Sequence, residues 1–102
     1  MSKIKSEYPD LDKYKYSNGD IWYCKKDTDI PHNPYGPAIM HKNGYKVYYI
    51  NNKLHRLDGA AVIYLDGCEE YWINGKSLTK EEFEIHPERL KFVGKEHLIC
   101  LK

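Results

Sequence analysis

The sequence predicts a mainly β protein: an antiparallel meander of three tandem β-hairpins forming a single sheet, with a short helical C-terminal cap. Three observations predict it. Residues 32–53, HNPYGPAIMHKNGYKVYYINNK, recur as residues 55–76, HRLDGAAVIYLDGCEEYWINGK, at an offset of 23 residues. A period in that range marks stacked supersecondary units. An Asn-Gly or Asp-Gly pair stands in the middle of each unit, at Asn18-Gly19, Asn43-Gly44 and Asp66-Gly67, and such pairs between β-prone runs are the strongest short hairpin signal. Ten Tyr among 102 residues favour strands whose rings tolerate a half-wet surface.

In chain order, residues 1–12 are polar, carry Pro9 and show no period, so they are expected to form a loose N-terminal arm. Residues 13–31 form a degenerate first hairpin. Lys13-Tyr14-Lys15-Tyr16 alternates, Ser17-Asn18-Gly19-Asp20 interrupts, and Ile21-Trp22-Tyr23-Cys24 resumes. The connection from Lys25 to Pro31, with Pro34 and Pro37 beyond it, reads as a variable loop.

Residues 32–54 and 55–77 are the tandem repeats. Type I′ turns at the three central pairs need positive φ at both turn residues, which Asn, Asp and Gly tolerate best. Such two-residue turns would set Tyr14 opposite Tyr23, Ile39 opposite Tyr48 and Val62 opposite Tyr71 on a structural face. The other face would hold Ala38 with Tyr49 and Ala61 with Trp72, beside Trp22, Val47 and Glu70, which differ between repeats. That variable aromatic face is the expected recognition surface. Asn51-Asn52 and Asn74-Gly75 carry a second turn signal at each repeat end.

Residues 78–102 depart from the repeat and are expected to form a helical cap and a last strand. Thr79 followed by Glu82 is a capping box, Pro87 suits the first turn of a second helix, and Gly94 is expected to end it. Residues 96–102 then read as strand. The whole chain is expected to be one domain.

Sixteen Lys and Arg against fifteen Asp and Glu leave no field of one sign, so specific nucleic-acid binding is not expected. No apolar run has signal-peptide or membrane-span character. The chain is expected in the cytoplasm. Cys24, Cys68 and Cys100 are odd in number and far apart, which fits reduced thiols rather than a disulfide framework or zinc site.

The Leu54-His55-Arg56 corner with Asp58-Gly59, the Asp66-Gly67 turn and the Tyr71-Trp72-Ile73-Asn74-Gly75-Lys76 strand end resemble MORN-type repeats. The likeness is to the variant form common in giant viruses, phages and some bacteria, and it covers residues 18–83. It implies stacked β-hairpins, an interaction role and no catalytic residues. It also makes a viral or phage origin the expectation.

His32 and His55 occupy the same repeat position, most simply because both copies need the same corner hydrogen bond; Leu78 at the third position leaves no third imidazole for a metal. Arg56 and Asp58 replace Asn33 and Tyr35, and such departures mark specialisation. Tyr35, His41, Arg56 and Tyr64 together could make a stacking, hydrogen-bonding pocket. No G-x-S-x-G, H-E-x-x-H or phosphate-loop motif occurs. The expected function is therefore a non-enzymatic binding module for a partner protein, without metal or cofactor, its surface drawn from Trp22, Val47, Tyr49 and Trp72. The alternatives are a receptor or sponge for a small nucleotide-like ligand in virus-host conflict, and an antitoxin-like inhibitor. Homo-oligomerisation is compatible with each.

Overall fold

The computed structural model describes residues 2–97. Ten strands and two helices follow one another: β1 (Ser2–Ile4), β2 (Leu11–Lys15), β3 (Ile21–Lys25), β4 (Ile39–Met40), β5 (Lys46–Val47), β6 (Tyr49–Ile50), β7 (Lys53–Leu54), β8 (Val62–Ile63), β9 (Glu69–Ile73), β10 (Lys76–Leu78), α1 (Lys80–Glu84) and α2 (Pro87–His97). Eight strands form one antiparallel meander in the order β1-β2-β3-β4-β5-β8-β9-β10, and β6-β7 is a side ribbon between β5 and β8. The mainly β meander with a helical C-terminal end is thus as the sequence predicts.

The N-terminal segment departs from expectation. β1 pairs with β2, Ser2 opposite Lys15 and Ile4 opposite Lys13. Asp12, 1% exposed, anchors this region: one carboxylate oxygen meets Lys3 and Lys26 at 3.3 Å each. The other accepts the Asp27 N–H at 2.8 Å. That amide, then the two lysines, holds the Asp12 carboxyl below the ordinary carboxylate range against the cost of desolvation.

The three central turns are alike, but they are not two-residue type I′ turns. In each, two backbone bonds close a three-residue loop: Gly19 N–H to Tyr16 O with Tyr16 N–H to Asp20 O, Gly44 to His41 with His41 to Tyr45, and Gly67 to Tyr64 with Tyr64 to Cys68. Only the glycines have positive φ, at +95°, +107° and +89°. This is a type I turn followed by a bulge residue that must be left-handed. Asn18, Asn43 and Asp66 serve through their side chains, which accept the N–H two residues on, at Asp20, Tyr45 and Cys68. Type I′ geometry occurs elsewhere, at Asn51-Asn52 (φ 50° and 66°) and Asn74-Gly75 (52° and 79°). These turns join β6 to β7 and β9 to β10.

The longer loop moves every pairing by one residue. Tyr14 faces Trp22, Ile39 faces Val47, and Val62 faces Glu70, instead of Tyr23, Tyr48 and Tyr71. Because side chains alternate faces, that slip exchanges them. Trp22, Ile39, Val47 and Val62 now lie in one row across four strands. Ala38, Ile39, Val47 and Val62 form the core cluster, with Trp22, Tyr45, Tyr49, Leu54 and Trp72 packed against it. Small residues at Ala38 and Ala61, both fully buried, allow rings to approach the strands.

At the C-terminal end, Thr79 accepts the Glu82 N–H and Glu82 accepts the Thr79 N–H, completing the capping box at α1. Phe83 is buried against Tyr71, ring centroids 4.7 Å apart. Gly94 does not end α2, which continues to His97; Glu96 and His97 are therefore helical where a strand was expected. Residues 98–102, the rest of that expected strand, lie outside the described residues. No described helix is long and apolar enough to cross a membrane.

Candidate functional site

The repeat places chemistry on two rims of the sheet. One is the corner rim, where each hairpin leads into the next. There His32 Nδ1 accepts the Asn51 N–H at 2.9 Å and His55 Nδ1 accepts the Asn74 N–H at 3.0 Å. Both imidazoles hold the first residue of a type I′ turn, the shared corner bond the repeat position implies. Burial lowers the pKa of both, and acceptance at Nδ1 fixes the neutral ring with its proton on Nε2.

The neighbouring position does one task with two side chains. Asn33 Nδ2 donates to Pro37 O at 2.9 Å, and Arg56 Nη1 donates to Ala60 O at 3.0 Å. Arg56 adds an ion pair through Nε to Asp58 at 2.8 Å and lies 4.0 Å from the Tyr48 ring centre. Much of its guanidinium is thereby spent on the fold. A cleft of about 450 Å³ opens beside it, walled by Tyr35, Tyr48, His55, Arg56, Asp58 and, from α2, Phe92. Tyr35 is exposed there, but its ring stacks on Tyr8 at 4.6 Å and its hydroxyl donates to Asp10 at 3.0 Å.

The second rim carries the three central turns. A hollow of about 410 Å³ lies between hairpins two and three, lined by His41, Asn43, Tyr45, Tyr64, Leu65 and Asp66. His41 Nδ1 sits against Asp20 Oδ1, and its ring lies 4.8 Å from Tyr45, which lies 5.5 Å from Tyr64. The Tyr64 hydroxyl donates to Glu70 at 2.8 Å, and the other oxygen of that carboxylate accepts Trp72 Nε1 at 3.0 Å. Glu70 thus ties an exposed ring to a half-buried one and raises the Tyr64 pKa.

Of the eight residues singled out from sequence, Tyr35 and Arg56 reach the corner cleft, while His41 and Tyr64 reach the turn hollow. The single four-residue pocket is therefore divided between opposite rims. Val47 is 5% exposed and faces Ile39 and Val62. Trp22, Tyr49 and Trp72 pack around it. Of these four only Val47 is buried, and the three partly buried rings pack against the core cluster that the one-residue slip builds on their face. Leu65, 62% exposed, joins the hollow without a sequence signal of its own, since an apolar residue at that turn stands out only when the loop is counted as three residues.

Among the described residues no group of three or more His, Cys, Asp or Glu is placed to hold a metal ion. The architecture is an antiparallel β meander with a helical C-terminal end, in which His32 and His55 bond two of the corners and one rim carries aromatic rings. Comparison with family models, with curated proteins and with solved structures gives no match.

Proposed function

We propose that this chain is a non-enzymatic MORN-type β-repeat binding module, of viral or phage origin and acting in the host cytoplasm, that docks a partner protein through its turn rim. The observation that carries the reading is the exposure of Tyr64 and Leu65, 37% and 62%, on a hairpin turn fixed at both ends by backbone bonds. Rigid rings and aliphatic groups at the surface bury much area on contact at little entropic cost. Agreement of the 23-residue sequence period with the bonding supports the repeat assignment: Asn33 N–H to Tyr49 O recurs as Arg56 N–H to Trp72 O.

The alternative is a small nucleotide-like ligand in the corner cleft, whose volume of about 450 Å³ lies in the range of small-molecule sites. Against it, Arg56 is already neutralised by Asp58 and Tyr35 is already stacked on Tyr8.

Native mass spectrometry of the complex purified from the source cell separates the two readings. A bound protein lost from Leu65→Glu and kept by Tyr35→Ala is the expected result. A bound small molecule lost from Tyr35→Ala and kept by Leu65→Glu would move the site to the corner cleft.

A further inference from the structure

We infer that the hollow on the turn rim receives a cationic side chain, a lysine or arginine of the partner protein; this rests on the rim reading above and names the chemistry of its central contact. The hollow forms where Tyr45 of one hairpin meets Tyr64 of the next, rings 5.5 Å apart and tilted at 47°. His41 extends the row. Ring faces carry the negative lobe of the aromatic quadrupole and attract cations.

The surrounding charge has the matching sign. Asp66 lines the hollow, and no Lys or Arg does. Glu70 accepts the Tyr64 hydroxyl, which enriches that ring, and the Asp20 carboxylate stands behind His41. The methylene stem of an incoming lysine or arginine would lie along Leu65.

Three rings elsewhere in the chain lie under its own cations. Arg56 lies 4.0 Å from the centre of Tyr48, Arg89 lies 4.9 Å from Phe83, and Lys13 lies 5.4 Å from Tyr23. Among the described residues none so covers Tyr45 or Tyr64. The equivalent junction between hairpins one and two puts Asp20 against His41 in place of two tyrosines, so the paired rings belong to one junction.

NMR titration of the whole chain with choline and with its neutral isostere 3,3-dimethyl-1-butanol tests the inference. Choline should move the amides of Tyr45, Tyr64, Leu65 and Asp66, and the isostere should bind about fivefold more weakly, the factor expected of an exposed cation–ring contact. Tyr64→Phe should keep that preference and Tyr64→Leu should lose it; Tyr45→Leu gives the same reading should Tyr64→Leu not fold. Equal binding of the two compounds, or no choline response at these amides, overturns the cationic occupant. If choline leaves the rim unmoved while Leu65→Glu still releases the partner, the rim reading stands and only this inference falls.

Discussion

Gly67 and Gly59 look alike in sequence and differ in the fold. Gly67 has φ +89°, whereas Gly59 lies outside the left-handed region and has Arg56 beside it, so that a Cβ there would meet the guanidinium carbon at 3.1 Å. Gly67→Val should therefore cost at least ~1 kcal/mol in urea denaturation through backbone strain, and Gly59→Val should cost less, since its backbone is unstrained and the loss is confined to shifting Arg56 from Ala60 O and Asp58. Equal losses would contradict the turn geometry. His32 and His55 give a pH dependence whose sign is fixed by their role as acceptors. Their folded pKa values are lowered by burial, so below the unfolded value of about 6.5 the unfolded chain binds more protons. Stability should hold above that value, fall as pH drops through it, and level off once the folded rings are also protonated. Thermal melts at about pH 7.5 and 5.5, either side of the unfolded value, should show the loss, and His32→Asn with His55→Asn should reduce it, because an amide oxygen near the Nδ1 position does not titrate. The shared role of these two imidazoles was legible because both copies keep them. That Arg56 repeats the task of Asn33 was not, since a guanidinium and an amide share only their ability to donate to one carbonyl.

At the scale of elements, hairpin positions were legible from Asn-Gly and Asp-Gly, while the loop length was not. The same dipeptide suits a two-residue type I′ turn, where both residues are left-handed, and a three-residue turn, where only the glycine is. Asn74-Gly75 takes the first form and Asn18-Gly19 the second. One residue of difference in each loop then exchanges the faces of the paired strands, which is why Val47 looked available from sequence and is core. The N-terminal strand was missed because its hold on the sheet lies in the burial of Asp12 between Lys3 and Lys26, and no local period records that. Thiol labelling offers a check on the strands themselves. Cys24 is buried in β3 and Cys68 is exposed beside its turn, and both thiols have raised pKa values, Cys24 through burial and Cys68 through its bond to Asp66. A disulfide reagent should modify Cys68 in the folded protein, faster as pH rises, and reach Cys24 only on unfolding. Early labelling of both would mean that β3 is not covered as described.

At the scale of the whole molecule, interior and rim should respond oppositely to charge. Val47→Asp puts a carboxylate among Ile39, Val62 and Ala38 and should cost several kcal/mol, roughly the 3–5 of an uncompensated buried charge. Leu65→Asp should leave the melting temperature almost unchanged, within about 0.5 kcal/mol in free energy. A folded Val47→Asp protein would reverse the assignment of faces. The relay of corner bonds has a consequence for how such a protein can lengthen. His55 N–H reaches Tyr48 O and Gly75 N–H reaches Leu54 O, while Arg56 N–H to Trp72 O closes the unit on itself, so, among the described residues, the unit 55–77 is joined by these bonds to the unit before it, as neighbours are in one-dimensional arrays. A second copy of residues 55–77, inserted after Lys76-Ser77, would meet the same donors and acceptors that the first copy meets. Because Glu70 stands where Val47 stands one repeat earlier and would face Val62 of the added copy as Val47 faces Val62 now, the duplicated chain should fold with more strand by circular dichroism and a melting temperature near the parent's only when the first copy carries Glu70→Val. Gene duplication with that one change then adds turn rim one hairpin at a time without redesigning the ends.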